Sequence, residues 1–128
     1  MVPKSNYFRV LFLEDCNITT SLVSEVFGKD GIEVVSVRDG VEAIKTLRED
    51  SNFNIILMDL GFPKGTPEAV IQEIRRIKDR EIPLIVCSGS TDIEKKFSSL
   101  QAKHFLKKPY KIEDLLNITK QFATSNQS

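Results

Sequence analysis

The chain has 128 residues, 41% of them hydrophobic, with 18 basic side chains against 18 acidic ones. At about 150 residues per domain this is one domain, residues 1–128, with enough apolar content for a globular core and no need of a disulfide scaffold. The balanced charge argues against a dedicated nucleic-acid binder, and no apolar run approaches the ~20 residues of a membrane span or forms a signal peptide at the N-terminus. Two cysteines without CxxC spacing read as free thiols in a reducing, cytoplasmic setting.

Arg9 to Leu13 is a buried-strand run that stops at two acids, Glu14 and Asp15. Asn17 is a candidate cap for a first helix, in which Ile18, Leu22, Val26 and Phe27 recur at helical spacing until Gly28 and Gly31. Glu33 to Val37 reads as a second strand and Asp39-Gly40 as a turn, followed by a second helix marked by Val41, Ile44 and Leu47. The third strand, Ile55 to Met58, ends at Asp59. Thr66-Pro67-Glu68 supplies a hydroxyl cap, a first-turn proline and an acid, which starts a third helix with Val70, Ile71, Ile74 and Ile77 inward. After Pro83, the apolar run LIVC is a fourth strand entering Ser88-Gly89-Ser90. Ile93, Phe97 and Leu100 carry a weaker fourth helix, and His104 to Leu106 form a short fifth strand before Lys107-Lys108-Pro109. Ile112, Leu115, Leu116, Thr119 and Phe122 place a fifth helix, so the folded core spans about 8–123 with a polar tail at 124–128.

Strands alternating with helices, each strand apolar throughout, predict an α/β fold: a parallel sheet covered on both faces. In such sheets the functional crevice lies outside the carboxyl ends of the strands. Glu14 and Asp15, Asp59, Ser88 and Lys108 all fall there. Singly, each has an ordinary reading as a cap, a turn or a solvated residue. Jointly they do not. With the first and third strands about 4.8 Å apart, three carboxylates crowd one end of the sheet. Two like charges at about 4 Å repel by roughly 4 kcal/mol at an effective dielectric of 20, so the group calls for a cation. All-oxygen ligands with open positions suit Mg²⁺ or Mn²⁺ beside a phosphate, and Lys108 with the Ser88 hydroxyl would serve the phosphoryl oxygens.

This ordered set resembles the receiver domains of two-component response regulators, over about residues 8 to 123. The resemblance implies a doubly wound, flavodoxin-like (βα)5 fold with strand order 2-1-3-4-5. It implies phosphorylation of Asp59 by a phosphohistidine on a sensor histidine kinase or histidine phosphotransfer protein. Mg²⁺ would be held by Asp15 and Asp59, by Glu14 through water, and by the backbone carbonyl of Gly61. Ser88 and Phe105 match the switch positions, Lys108 matches the lysine because proline follows it, and the Lys108-Pro109 bond is expected to be cis. Gly61 and Ser90, two residues after the acceptor and the hydroxyl, would tune the lifetime of the phosphoryl group by water access. The output partner would bind the fourth helix, fifth strand and fifth helix, with no membrane and no direct nucleic-acid contact.

Several features depart from the family pattern. Asp59 to Pro67 reads DLGFPKGTP, keeping only the aspartate and Pro63; Gly89 stands where alanine is usual, and Glu14 where aspartate often is. The expected product is a phosphorylation-controlled switch that promotes its own modification and is not an enzyme with a separate substrate. The alternative is a receiver-like binding module that uses no phosphate. A flavodoxin-type FMN carrier is disfavoured because Glu14-Asp15 would repel the phosphate, and an Asp-x-Asp phosphatase because Asp15-Cys16-Asn17 breaks that pattern. Met1 and the polar tail favour a stand-alone receiver over a fragment of a larger regulator. Cys16 and Cys87 are expected to stay unpaired, and His104 to be a surface residue.

Overall fold

The computed structural model describes residues 8–50, 52–60, 66–77, 82–89 and 104–126. Five strands, β1 (Phe8–Leu13), β2 (Ile32–Val37), β3 (Ile55–Asp59), β4 (Leu84–Ser88) and β5 (His104–Lys107), form one parallel sheet in the order β2-β1-β3-β4-β5. The described helices are α1 (Asn17–Gly28), α2 (Gly40–Glu49), α3 (Pro67–Ile77) and α4 (Ile112–Asn126). The last is the fifth helix expected from the sequence; the expected fourth, around Ile93 to Leu100, lies outside the described residues.

Alternation along the strands divides the core into two layers, because successive side chains point to opposite faces. Leu11, Leu13, Ile56, Met58, Leu84 and Val86 meet Ala43 and Leu47 of α2 and Val70, Ile71 and Ile74 of α3. Val10, Phe12, Ile55, Leu57, Ile85 and Cys87 meet Val23 and Phe27 of α1 and Leu115 of α4. β3 and β4 are buried along their whole length, as central strands of a sheet covered on both faces must be.

The helix starts correct the sequence reading in two places. Asn17 is the first residue of α1 and not its cap; Cys16 holds the cap position, with no side-chain cap bond. Asp39 is more than a turn residue: its carboxylate accepts the Glu42 N–H at 2.8 Å and so caps α2. Thr66 caps α3 as expected, its hydroxyl accepting the Ala69 N–H at 3.1 Å. Past α1, Gly31 takes φ +76, the left-handed conformation that favours glycine, and turns the chain into β2.

The inward face of α1 also differs. Val23 and Phe27 are buried, whereas Ile18 is 73% exposed and Leu22 is 45% exposed. Val41, expected to mark the inner face of α2, is exposed as well; Ala43 and Leu47 fill that role.

At the amino end of the sheet, Arg9 bonds the carboxylates of Glu33 and Asp50 and the carbonyl oxygen of Asn52. Its guanidinium also lies 4.7 Å from the centre of the Phe53 ring. The Arg9 N–H donates to Asn54 Oδ1, while Asn54 N–H donates back to the Arg9 carbonyl. Arg48 of α2 and Arg76 of α3 share the Glu73 carboxylate and tie those two helices together.

Truncating Phe27 to alanine should cost about 3–5 kcal/mol of stability, because the cavity lies in the closed layer under α1. Ile18→Ala should stay within about 0.5 kcal/mol of wild type. Urea denaturation of the two variants measures both, and a loss at Ile18→Ala equal to that at Phe27→Ala would return Ile18 to the buried stripe of α1.

Candidate functional site

The carboxyl ends of the strands supply the site. On β3 the alternation that sends Ile55 and Leu57 toward α1 and α4 brings Asp59 to the same side, in register with Cys87 of β4. Asp59 is the charged end of an otherwise apolar strand, and its side chain is 4% exposed. Lys108, just past β5, reaches it. The chain is fixed there by the Lys108 N–H donating to the Ser88 carbonyl at 2.8 Å, and the Lys108-Pro109 bond is cis. The ammonium sits astride the carboxylate, 2.5 Å from each oxygen. Its hydrogen bond goes to Oδ1, and its charge pairs with the buried Oδ2.

Glu14 follows β1, tied to β2 by its N–H donating to the Val37 carbonyl, and is buried. Its Oε1 accepts the Cys16 N–H at 3.1 Å, which holds the carboxyl back against the start of α1. Burial pushes Glu14 up to about 8, with Asp59 adding to the rise by hydrogen bonding and by charge. For Lys108, burial lowers the ammonium's pKa, but the hydrogen bond and charge of Asp59 outweigh it and the net shift is upward. Burial also raises the Tyr110 phenol, with nearby negative charge adding to it. The Cys16 thiol is lowered, first by the Thr19 side chain and then by the N–H groups opening α1.

Glu14, Asp59 and Lys108 share one open cavity of about 620 Å³. Its other wall is apolar: Leu22 of α1, and Pro109, Tyr110 and Ile112 at the entry to α4. The sequence reading passes over this wall. Leu22 shows in the sequence only as part of the helical spacing of α1, and Tyr110 carries no signal beyond following Lys108-Pro109.

The three carboxylates do not all converge. Asp15 is exposed and lies off this cavity, because consecutive residues of an extended segment point opposite ways and Glu14 takes the inward direction. Among the described residues, no three His, Cys, Asp or Glu side chains are gathered as a metal-holding group. What is present still suits a divalent cation: two facing carboxylates, one buried and held by a single ammonium and one driven toward its protonated form. A proton on Glu14 would relieve the repulsion between the two carboxylates; so would a cation.

Ser88 is buried at the end of β4. Phe105 is half-buried against the layer that contains Val86 and Met58, while His104 and Lys107 on either side of the strand are exposed. A Cβ added at Gly89 would meet nothing within 4 Å, so glycine in place of alanine there answers no crowding. Cys16 and Cys87 are unpaired, one exposed and one buried. Gly61 and Ser90, assigned to the metal and to the phosphoryl lifetime, lie outside the described residues.

A doubly wound sheet in this order, with an acid and a lysine paired at its carboxyl edge, defines a class of signalling domain. Residues 10–120 match the response regulator receiver domain, and the chain belongs to that family. It is 29% identical over 120 residues to the response regulator Rcp1 of Synechocystis sp., covering 85% of this chain and 82% of that protein. It is 31% identical over 113 residues to the transcription factor SKN7 of Candida albicans, covering 87% of this chain but spanning only 20% of that longer protein. The receiver domain of the sensor histidine kinase PA1611 from Pseudomonas aeruginosa, with magnesium coordinated in its active-site cleft, shares the fold at a TM-score of 0.78 and 22% identity, over 91% of this chain and 97% of that one. Receiver domains are phosphoacceptor switches of two-component systems and not enzymes in the ordinary sense. No described helix is long and apolar enough to cross a membrane.

Glu14 sets a pH dependence in the metal-free protein. Its folded pKa of about 8 exceeds the ordinary 4.5, so the folded state binds this proton more tightly. The stability it contributes is complete below pH 4.5 and is lost as the pH rises to 8. Melting temperatures in EDTA should therefore fall across that window for wild type and fall less for Glu14→Gln; parallel curves would remove Glu14 as the cause.

Proposed function

We propose that Asp59 is the phosphoacceptor. The observation that carries this reading is a carboxylate 4% exposed, paired with Lys108 at the carboxyl edge of the sheet and lining an open cavity. A carboxylate oxygen attacks the phosphorus of a phosphohistidine on a sensor histidine kinase or histidine phosphotransfer protein. The new P–O bond forms as the P–N bond breaks, and the departing imidazole nitrogen keeps the electron pair and takes a proton from solvent. Lys108 then passes from the carboxylate to a phosphoryl oxygen, a charge-assisted contact in both states.

Glu14, Asp15, Asp59 and the Gly61 carbonyl would hold Mg²⁺, with Mn²⁺ as a substitute; Asp15 joins by turning in from its exposed position. When bound, the cation neutralises the charge of the phosphoryl oxygens. The Ser88 hydroxyl takes a phosphoryl oxygen, and Phe105 follows it, changing the surface around β5 and α4 that an output partner reads. Gly61 and Ser90 set water access and hence the phosphoryl lifetime. The domain thus promotes its own phosphorylation and dephosphorylation, in the cytoplasm.

Acetyl phosphate with Mg²⁺ should add one phosphoryl group to wild type by intact mass and none to Asp59→Asn, whose fold persists because the position ends a strand. Uptake by Asp59→Asn at the wild-type rate would overturn the assignment. Lys108→Ala should still accept phosphate, more slowly, and lose the phosphorylation-dependent change in amide exchange at β5 and α4. An exchange response equal to wild type would take Lys108 out of the switch.

A further inference from the structure

The apolar wall of the cavity has no part in the function proposed above. A phosphoryl group and a divalent cation are served by Glu14, Asp59 and Lys108, which line one side of a space of about 620 Å³. That is room for a small organic molecule, and Leu22, Tyr110 and Ile112 give it an apolar surface. The wall is built from both sides. Tyr110 and Ile112 pack on the core layer that contains Leu115 and Cys87, which fixes them in place. Leu22 comes from α1 and is 45% exposed, so it lies at the rim and not in the core. Burial raises the Tyr110 phenol, which leaves the ring uncharged at neutral pH. Apolar surface held open to water is stabilised by whatever apolar group covers it.

We propose that this wall is the seat of the leaving group: Tyr110 and Leu22 take the imidazole ring of the phosphodonor and make the site select a donor with an aromatic leaving group. This rests on Asp59 being the phosphoacceptor, and adds no bond to that transfer. An in-line displacement puts the departing group on the far side of phosphorus from the attacking carboxylate. With the phosphoryl oxygens drawn to Lys108, the ring has the apolar part of the cavity to enter. A planar heteroaromatic ring gains there by stacking on Tyr110 and by covering Leu22. An acetate or an ammonia gains nothing comparable, because neither has an aromatic face. Tyr110 and Leu22 are therefore specificity-determining residues, one on each side of the entering ring.

Phosphoimidazole and phosphoramidate both carry the phosphoryl group on nitrogen, and the ring is the difference between them. Second-order rates of phosphoryl uptake by the full chain with Mg²⁺, followed by intact mass, give a ratio for the two donors in which a general loss of activity cancels. The phosphoimidazole-to-phosphoramidate ratio should fall about five-fold in Tyr110→Ala and in Leu22→Ala, the worth of one ring contact. Tyr110→Phe keeps the ring and should keep the wild-type ratio. A wild-type ratio in either alanine variant would overturn the proposal. So would a ratio that falls as far in Tyr110→Phe as in Tyr110→Ala, since the hydroxyl and not the ring would then be responsible. Uptake from either donor that persists in Asp59→Asn at the wild-type rate would instead overturn the reading of Asp59, and this inference with it.

Discussion

The ion pair between Asp59 and Lys108 depends on the whole fold. A carboxylate 4% exposed at the end of an apolar strand needs a cation within reach, because a buried charge without a partner is strongly disfavoured. The partner arrives 49 residues later, from beyond an edge strand. β4 lies between the strands concerned and must pair with both before the lysine can span the gap. The site is therefore a late product of folding, and its geometry reports on the registry of three strands at once.

The same carboxylate is contested by several positive groups. Lys108 holds it, a proton on Glu14 would bridge to it, and a divalent cation would displace that proton. Each binds the same negative charge, so strengthening one weakens the others. On the proposed function, phosphorylation of Asp59 would change the charge that all three respond to.

Much of the architecture was legible because its cause is local. Unbroken apolar strands between amphipathic helices leave few alternatives to a covered parallel sheet, and the acids and lysine at strand ends fall on one edge once the sheet is parallel. What escaped the sequence depends on direction. Ile18 and Val23 both suit the spacing of α1, and only the tilt of the helix on the sheet decides that Val23 goes in. Glu14 and Asp15 are equivalent in sequence, yet an extended chain can send just one of them inward. Asp39 reads as a turn beside glycine until the Glu42 N–H, in the first turn of α2, is seen to need its carboxylate. Tyr110 lines the cavity because the chain turns at Lys108-Pro109, a contact that no periodicity encodes.

Arg9 lies at the opposite end of the sheet from all of this chemistry. It joins β1 to β2 through Glu33 and to the segment entering β3 through Asp50, Asn52 and the Phe53 ring. Three consecutive strands of the sheet are thereby clamped at the heel. The other two, β4 and β5, carry Ser88 and Phe105 and lie beyond the reach of this clamp. The sheet resembles a hand fan pinned at one side of its base. Asp59 stands at the far end of the third clamped strand, so the clamp sets its height against β1 and β2, while its lysine partner comes from beyond the strands the clamp does not reach.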